Sequence, residues 1–235
     1  MKQEYEETPF ARAAQSFAAA LPIRVDATDE DLAKIVIPGW RYDEIADAVL
    51  AMYEKANAHI MPLPVFDIAN ALGYSPIPYR AYGARFHNVF ISTSEDAFTM
   101  QFRGAAKSVI LYNDRRLPTR INYSIMHEVG HNELGHAEPC PLAEKEANYF
   151  AGLALCPLDL LEHYGIDSAQ KITQLFNVSG EFADNRLRAL IRRRNRPVTM
   201  SSRRFRDEVL RRFRFKAAYQ MDLFARIGSD VKAVV

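Results

Sequence analysis

Cysteine is scarce in this chain of 235 residues, which has Cys140 and Cys156 and no others. Two thiols exclude a disulfide framework, and without a C-x-x-C spacing they read as ordinary side chains. Long apolar runs are missing too. No stretch approaches the length needed to span a bilayer. The opening MKQEYEETPF lacks the basic and apolar regions of a secretory signal. The expectation is a cytoplasmic protein with no membrane partner. Internal repeats are absent, and low complexity is confined to arginine runs near the end.

What is present suffices for a core. Residues of hydrophobic type make up 49% of the chain, with 11 Tyr and 14 Phe, which excludes global disorder. The length fits one domain with an appended piece, or two small ones. A net charge of +1 hides a split. Residues 1–185 carry 15 Lys and Arg against 25 Asp and Glu, while residues 186–235 carry 15 against 4. Such asymmetry suggests an end that folds back on the body or grips an anionic partner.

Residues 1–40 give mixed signals beyond a short helix at Ala11–Ala20, and form an extension of unassigned role. From Tyr42, Ile45, Ala48, Val49, Met52 and Tyr53 recur at helical spacing, giving a helix to about Ala58. Pro62-Leu63-Pro64 breaks it, and Val65–Leu72 forms a second helix ended by Gly73. Four aromatic and β-branched runs then read as strands: Ile77–Ala81, Phe86–Ile91, Ala97–Phe102 and Ser108–Tyr112. Beyond Pro118 the pattern is helical, over about 119–136, 141–155, 157–164, 168–176, 179–194 and 203–225. Helices and strands in separate blocks predict an α+β fold with a small antiparallel-type sheet, followed by an all-helical carboxyl-terminal region. The expected divisions are 1–40, 41–165 and 166–235.

Three of the six histidines fall in IMHEVGHNELGHA, residues 125–137. His127, Glu128 and His131 match H-E-x-x-H, and on a helix residues four apart share a face. His127 and His131 can therefore reach one ion together. Glu128 is offset from them and suits a general base acting on water. A zinc site of this type wants a third protein ligand and an open position. His136 has the wrong spacing for the metzincin signature, and on a continued helix it points to another face. The next helix, AEKEANYFAGLALCP, offers Glu144 with Asn148 on the same face. Glu144 is the expected third ligand, with Asn148 accepting a hydrogen bond from a ligand histidine. Glu146 is the competitor, on another side of that helix. His136, Tyr149 and Tyr123 are candidate oxyanion donors. His59, His87 and His163 are isolated and expected to be structural.

KSVILYNDRRLPTRINYSIMHEVGHNELGH followed by EKEANYFAGLALCP resembles the ImmA/IrrE-type metallopeptidases. Asn113, Arg120, His127, Glu128, His131, Glu144, Glu146, Ala147, Asn148, Phe150, Ala151 and Pro157 occupy the places of that family's pattern. The likeness covers Tyr42 to Leu158, and more loosely extends to Leu190. Cys156 stands where the family often has Met, and Tyr123 where it usually has Phe. The resemblance implies a zincin-like core and a zinc-dependent peptidase, supports Glu144 as ligand, and suggests a helix-turn-helix repressor as the protein substrate. A DNA-binding regulator with a structural zinc site is the alternative, as is a sensor that binds a repressor without cutting it. Three ligands beside a free Glu argue against a structural site.

Ile172, Leu175, Phe176, Val178 and Phe182 are spaced as in a helix-turn-helix, with Asn177-Val178-Ser179 as turn and cap. A recognition helix from Ser179 is one reading. Packing of a helical hairpin on the peptidase core is the favoured one, because Glu181 and Asp184 suit phosphates poorly. Arg186–Lys216 holds 13 Lys and Arg and two acidic residues. It could bind nucleic acid through phosphates and stacking. Docking on the acidic body is expected instead, since Phe205 and Phe213 lie near the spacing of one helix face.

Overall fold

Prolines open several helices of this chain, and left-handed residues close some of them. The computed structural model describes residues 29–100, 108–138, 140–194 and 200–215. Helix α1 (Asp29–Lys34) leads to α2 (Gly39–Lys55), whose inner face is Ile45, Val49, Met52 and Tyr53. The short strand β1 (Ile60–Met61) follows, then α3 (Val65–Leu72). Pro64 precedes α3 and Gly73 ends it at φ 95°, where a side chain would be strained. That helix matches the sequence expectation to the residue. The expected helix at Ala11–Ala20 lies outside the described residues.

The central sheet orders its strands β2 (Tyr74–Pro78), β4 (Ser108–Tyr112) and β3 (Ala97–Met100). β4 pairs parallel with β2 and antiparallel with β3, so the sheet is mixed rather than antiparallel. The expected strand Ile77–Ala81 is displaced: strand runs only through Pro78, and Tyr79–Tyr82 is a 3-10 turn. Gln101 and Phe102, at the end of the third expected strand, lie outside the described residues. Phe86–Ile91, also expected as a strand, belongs to helix α4 (Ala84–Thr93). Its composition favours strands, but Phe86 and Phe90 are four apart. They stack at 5.9 Å over a small aromatic core with Tyr79, Phe98 and Leu111. That tertiary contact outweighs propensity.

The pleat divides the sheet's side chains between two cores. Phe98, Met100 and Leu111 enter the aromatic cluster, whereas Ala97 and Ile110 face the main one. Thr99, opposite Ile110, shares that second face. It therefore looks toward the helices that carry the histidines.

Those helices are α5 (Pro118–Glu133) and α6 (Pro141–Leu155), each with Pro at its start. Then come α7 (Leu158–His163), α8 (Ala169–Phe176), α9 (Gly180–Arg194) and α10 (Met200–Arg212). Ser168 caps α8 and Asn177 closes it in the left-handed conformation. Ile172, Leu175, Phe176, Val178, Ala183 and Leu190 join the main core, so this hairpin packs on the body. Phe205, Val209 and Phe213 form a buried stripe from α10 into the turn after it, and Phe213 meets Tyr53 edge-on at 4.7 Å. The carboxyl-terminal region is not wholly helical: β5 (Arg214–Phe215) pairs with β1. Residues 216–225 of the expected last helix lie outside the described residues. One hydrophobic cluster runs from Ile37 to Phe213. No helix among the described residues is long and apolar enough to cross a membrane.

Candidate metal centre

The site depends first on how closely two helices cross. A Cβ on Gly130 would stand 3.0 Å from Cδ1 of Phe150, with two more ring-side atoms at 3.2 Å. Glycine there lets α6 lie against α5 and brings the first turn of α6 up to the histidines. Nε2 of His127 and Nε2 of His131 are 3.0 Å apart. Glu144 places one carboxylate oxygen 3.3 Å from the first ring and the other 3.4 Å from the second. One donor atom from each residue lies within 4.8 Å of the others. An ion bound tetrahedrally at about 2.1 Å holds its donors roughly 3.4 Å apart. Two imidazole nitrogens and a carboxylate at these separations fit a divalent ion.

The electrostatics agree with that geometry. Burial pushes the Glu144 carboxyl upward, but hydrogen bonds from His127 and His131 outweigh it and hold it well below the usual carboxylate range. Glu144 is thus an ionised acceptor between two rings. Nδ1 of His127 is buried without a hydrogen-bond partner among the described residues.

Glu128 lies beside this cluster, along the wall of the cavity described below. Thr99 Oγ donates to its Oε2 at 2.9 Å, and Asn132 Nδ2 donates to that same hydroxyl at 3.1 Å. Among the described residues Oε1 accepts no hydrogen bond. The carboxylate is held by one oxygen against the sheet while the other is available.

Glu146, the competing ligand, goes elsewhere. Its Oε2 accepts from Arg41 Nε at 2.9 Å and Nη2 at 2.7 Å, and lies 3.0 Å from His136 Nε2. Burial opposes ionisation of Glu146, but Arg41 and then His136 hold its carboxyl below its ordinary value. His136 does not point to another face, because α5 stops at Glu133. Gly135 turns left-handed at φ 69°, and its N–H bonds Asn132 O at 3.1 Å. The His136 N–H bonds His131 O at 3.0 Å, completing a Schellman turn. That folds the His136 ring back so that Nδ1 lies 3.0 Å from Nδ1 of His131.

Asn148 also departs from expectation. Its Oδ1 accepts from Tyr123 OH at 2.7 Å rather than from a ligand histidine. Tyr123 and His136, two of the suggested oxyanion donors, therefore have other partners. Tyr149 lies edge-on to Tyr42 at 4.8 Å, along the same cavity. Asn113 and Arg120 fasten the approach to the site: Asn113 Nδ2 donates to Glu95 O at 2.8 Å, and Arg120 holds Asp96 at 2.6 Å. Arg41 and Thr99 were not foreseen. Arg41 is 105 residues from Glu146, and neither residue belongs to a recognisable spacing.

His127, Glu128, Glu144 and Tyr149 open onto a cavity of about 1690 Å³ that continues to Arg206. Pockets for small ligands are typically about 300–1,000 Å³. A cleft of this size suits an extended segment of chain.

The family model described as IrrE N-terminal-like domain, a peptidase family, matches residues 82–188. No curated protein and no solved structure matches the chain.

Proposed function

Since residues 82–188 match the model of the IrrE N-terminal-like peptidase family, we propose that the chain is a zinc-dependent endopeptidase whose substrate is a DNA-binding transcriptional repressor. The observation that carries the metallopeptidase reading is the convergence of His127 Nε2, His131 Nε2 and the Glu144 carboxylate. Two nitrogens and one oxygen make a borderline donor set that suits zinc. Three protein ligands leave a position open, as catalysis requires and structural sites do not. A zinc ion held there would supply Lewis acidity toward a peptide carbonyl and toward water.

The chain's own residues would do the rest. Glu128 takes a proton from water and passes it to the departing amine. Thr99 keeps one oxygen of that carboxylate fixed so that the other faces the reaction. The cleft binds the substrate backbone on either side of the cut. Repressor cleavage rests on the resemblance to ImmA/IrrE-type peptidases, and the cavity's volume is compatible with a protein substrate.

Two measurements test this reading. Elemental analysis of chain purified without chelator should find about one zinc per chain, as a single three-ligand site demands. Stoichiometric zinc in a His127→Ala/His131→Ala double substitution would refute the site. Glu128→Gln should keep fold and metal while lowering cleavage of a helix-turn-helix repressor by at least about 100-fold, the low end of general-base contributions. Near-normal cleavage by that variant, or cleavage undisturbed by a chelator, would refute the mechanism.

A further inference from the structure

His131 has two ring nitrogens, and only one can serve an ion. Nε2 faces His127 and Glu144, while Nδ1 faces His136 at 3.0 Å. Two Nδ1 atoms at that distance share one proton, so one ring donates and the other accepts. Which ring donates is settled further along the chain of contacts. Glu146 Oε2 receives two N–H groups from Arg41, and this carboxylate is ionised and only accepts. His136 Nε2, 3.0 Å from the same oxygen, must therefore carry a proton. A neutral His136 ring with its proton on Nε2 has a bare Nδ1. That Nδ1 can only accept, so His131 donates Nδ1–H to it and keeps the lone pair on Nε2.

We infer that Arg41, Glu146 and His136 act in series as positioning residues that fix the tautomer and ring orientation of His131 for metal binding. Ligand histidines commonly donate their second N–H to a carboxylate or carbonyl. Here a second histidine is interposed, and the carboxylate lies one step farther out. The anchor is held in turn: Arg41 Nη1 also donates to Glu44 at 2.8 Å, one turn along α2. Arg41 lies outside residues 82–188. A segment that precedes the matched domain thereby supports its metal centre. The Glu146 side chain is 5% exposed and that of His136 9%, so water competes little for these bonds.

This inference rests on the metal-centre reading, and its test separates the two. Zinc affinity of the full chain is measured by competition with a chromophoric chelator, with circular dichroism and denaturant midpoints confirming the fold. His136→Ala should weaken zinc binding roughly 10–100-fold, the usual effect of losing a ligand's supporting partner. Arg41→Met should weaken it less, and Arg41→Lys should restore part of that loss. Glu146→Gln, which keeps an acceptor for His136, should bind more tightly than Glu146→Ala. The decisive comparison is the double-mutant cycle. In a His136→Ala background, Glu146→Ala and Arg41→Met should each change zinc affinity less than about twofold, because the link to His131 is already cut. Wild-type affinity in His136→Ala, or additive losses in the doubles, would overturn the series arrangement while leaving the metal centre intact. A wild-type chain that takes up no zinc would overturn the metal centre itself. Should Arg41→Met unfold the chain, the His136/Glu146 cycle reads the same coupling.

Discussion

Glu144 and Glu146 stand two residues apart on one helix and do unlike work. A step of two residues turns the helix by roughly 200°, so their side chains leave on different sides. Glu144 meets the histidine pair, while Glu146 is 4% exposed and meets Arg41 and His136. Glu144→Ala should cost zinc affinity beyond the roughly 10–100-fold that supporting partners command, because the proposed third ligand is lost outright. Glu146→Ala should stay within that range. Titration of both variants with zinc checks the order, and the reverse ranking would move the third ligand to Glu146. Their two-residue spacing puts these carboxylates on different sides of α6, as helical geometry implies. Asn148 and His136 depart from what spacing alone implies, because a residue's partner depends on what the opposite element presents. Tyr123 reaches Asn148 first, and the turn at Gly135 redirects His136.

At the scale of elements, the crossing of α5 and α6 is the step on which the centre depends. Gly130→Ala sets a methyl 3.0 Å from the Phe150 ring, tighter than nearly all such contacts, so that ring must give by a few tenths of an ångström. Helix propensity favours alanine by about 1 kcal/mol, but overpacking a buried contact costs typically about 1–3 kcal/mol. The net expectation is a loss of stability accompanied by weaker zinc binding, as α6 is pushed off and Glu144 withdraws. Thermal unfolding and zinc titration of this variant check both parts. A more stable chain with unchanged affinity would show that Phe150 swings aside freely. Element ends were legible wherever backbone chemistry marks them. Pro64 and Gly73 bound α3, and Pro118 and Pro141 open the two site helices. Phe86–Ile91 has strand-like composition but forms a helix, because the four-residue spacing of Phe86 and Phe90 fits the aromatic core.

Across the whole molecule, the carboxyl-terminal end of the described chain returns to α2. Arg212 donates to Tyr53 O at 3.3 Å, Phe213 packs on the Tyr53 ring, and Arg204 lies 3.4 Å from Asp47. Part of the basic end thus docks on the body, with Phe205, Val209 and Phe213 as its apolar seam. The pair Arg41–Glu146 ties α2 to α6 in the same way, and its contribution should depend on pH. The folded state holds Glu146 below its ordinary value of 4.5, so this stabilisation is complete above that value. It drains away as pH falls through the depressed folded value. Arg41→Met should therefore cost about 2 kcal/mol near pH 7, the scale of hydrogen bonds to a charged group. The cost should be smaller at about pH 3.5, below the ordinary value, where the stabilisation is already being lost. Denaturant midpoints at the two values check the sign, and an equal loss at both would remove Glu146 as the source.

The sequence by itself determined the local order of this protein: the helix carrying His127, Glu128 and His131, the helix carrying Glu144, and the family pattern that joins them. These are legible because periodicity, capping residues and motif spacing act over a few turns of chain. Tertiary structure alone decided the rest. Thr99 came to Glu128 from an edge strand through the pleat of the sheet, and Arg41 came to Glu146 across 105 residues. No local rule encodes such meetings. They follow from which faces bury together, and that is fixed only when the whole core, from Ile37 to Phe213, closes at once.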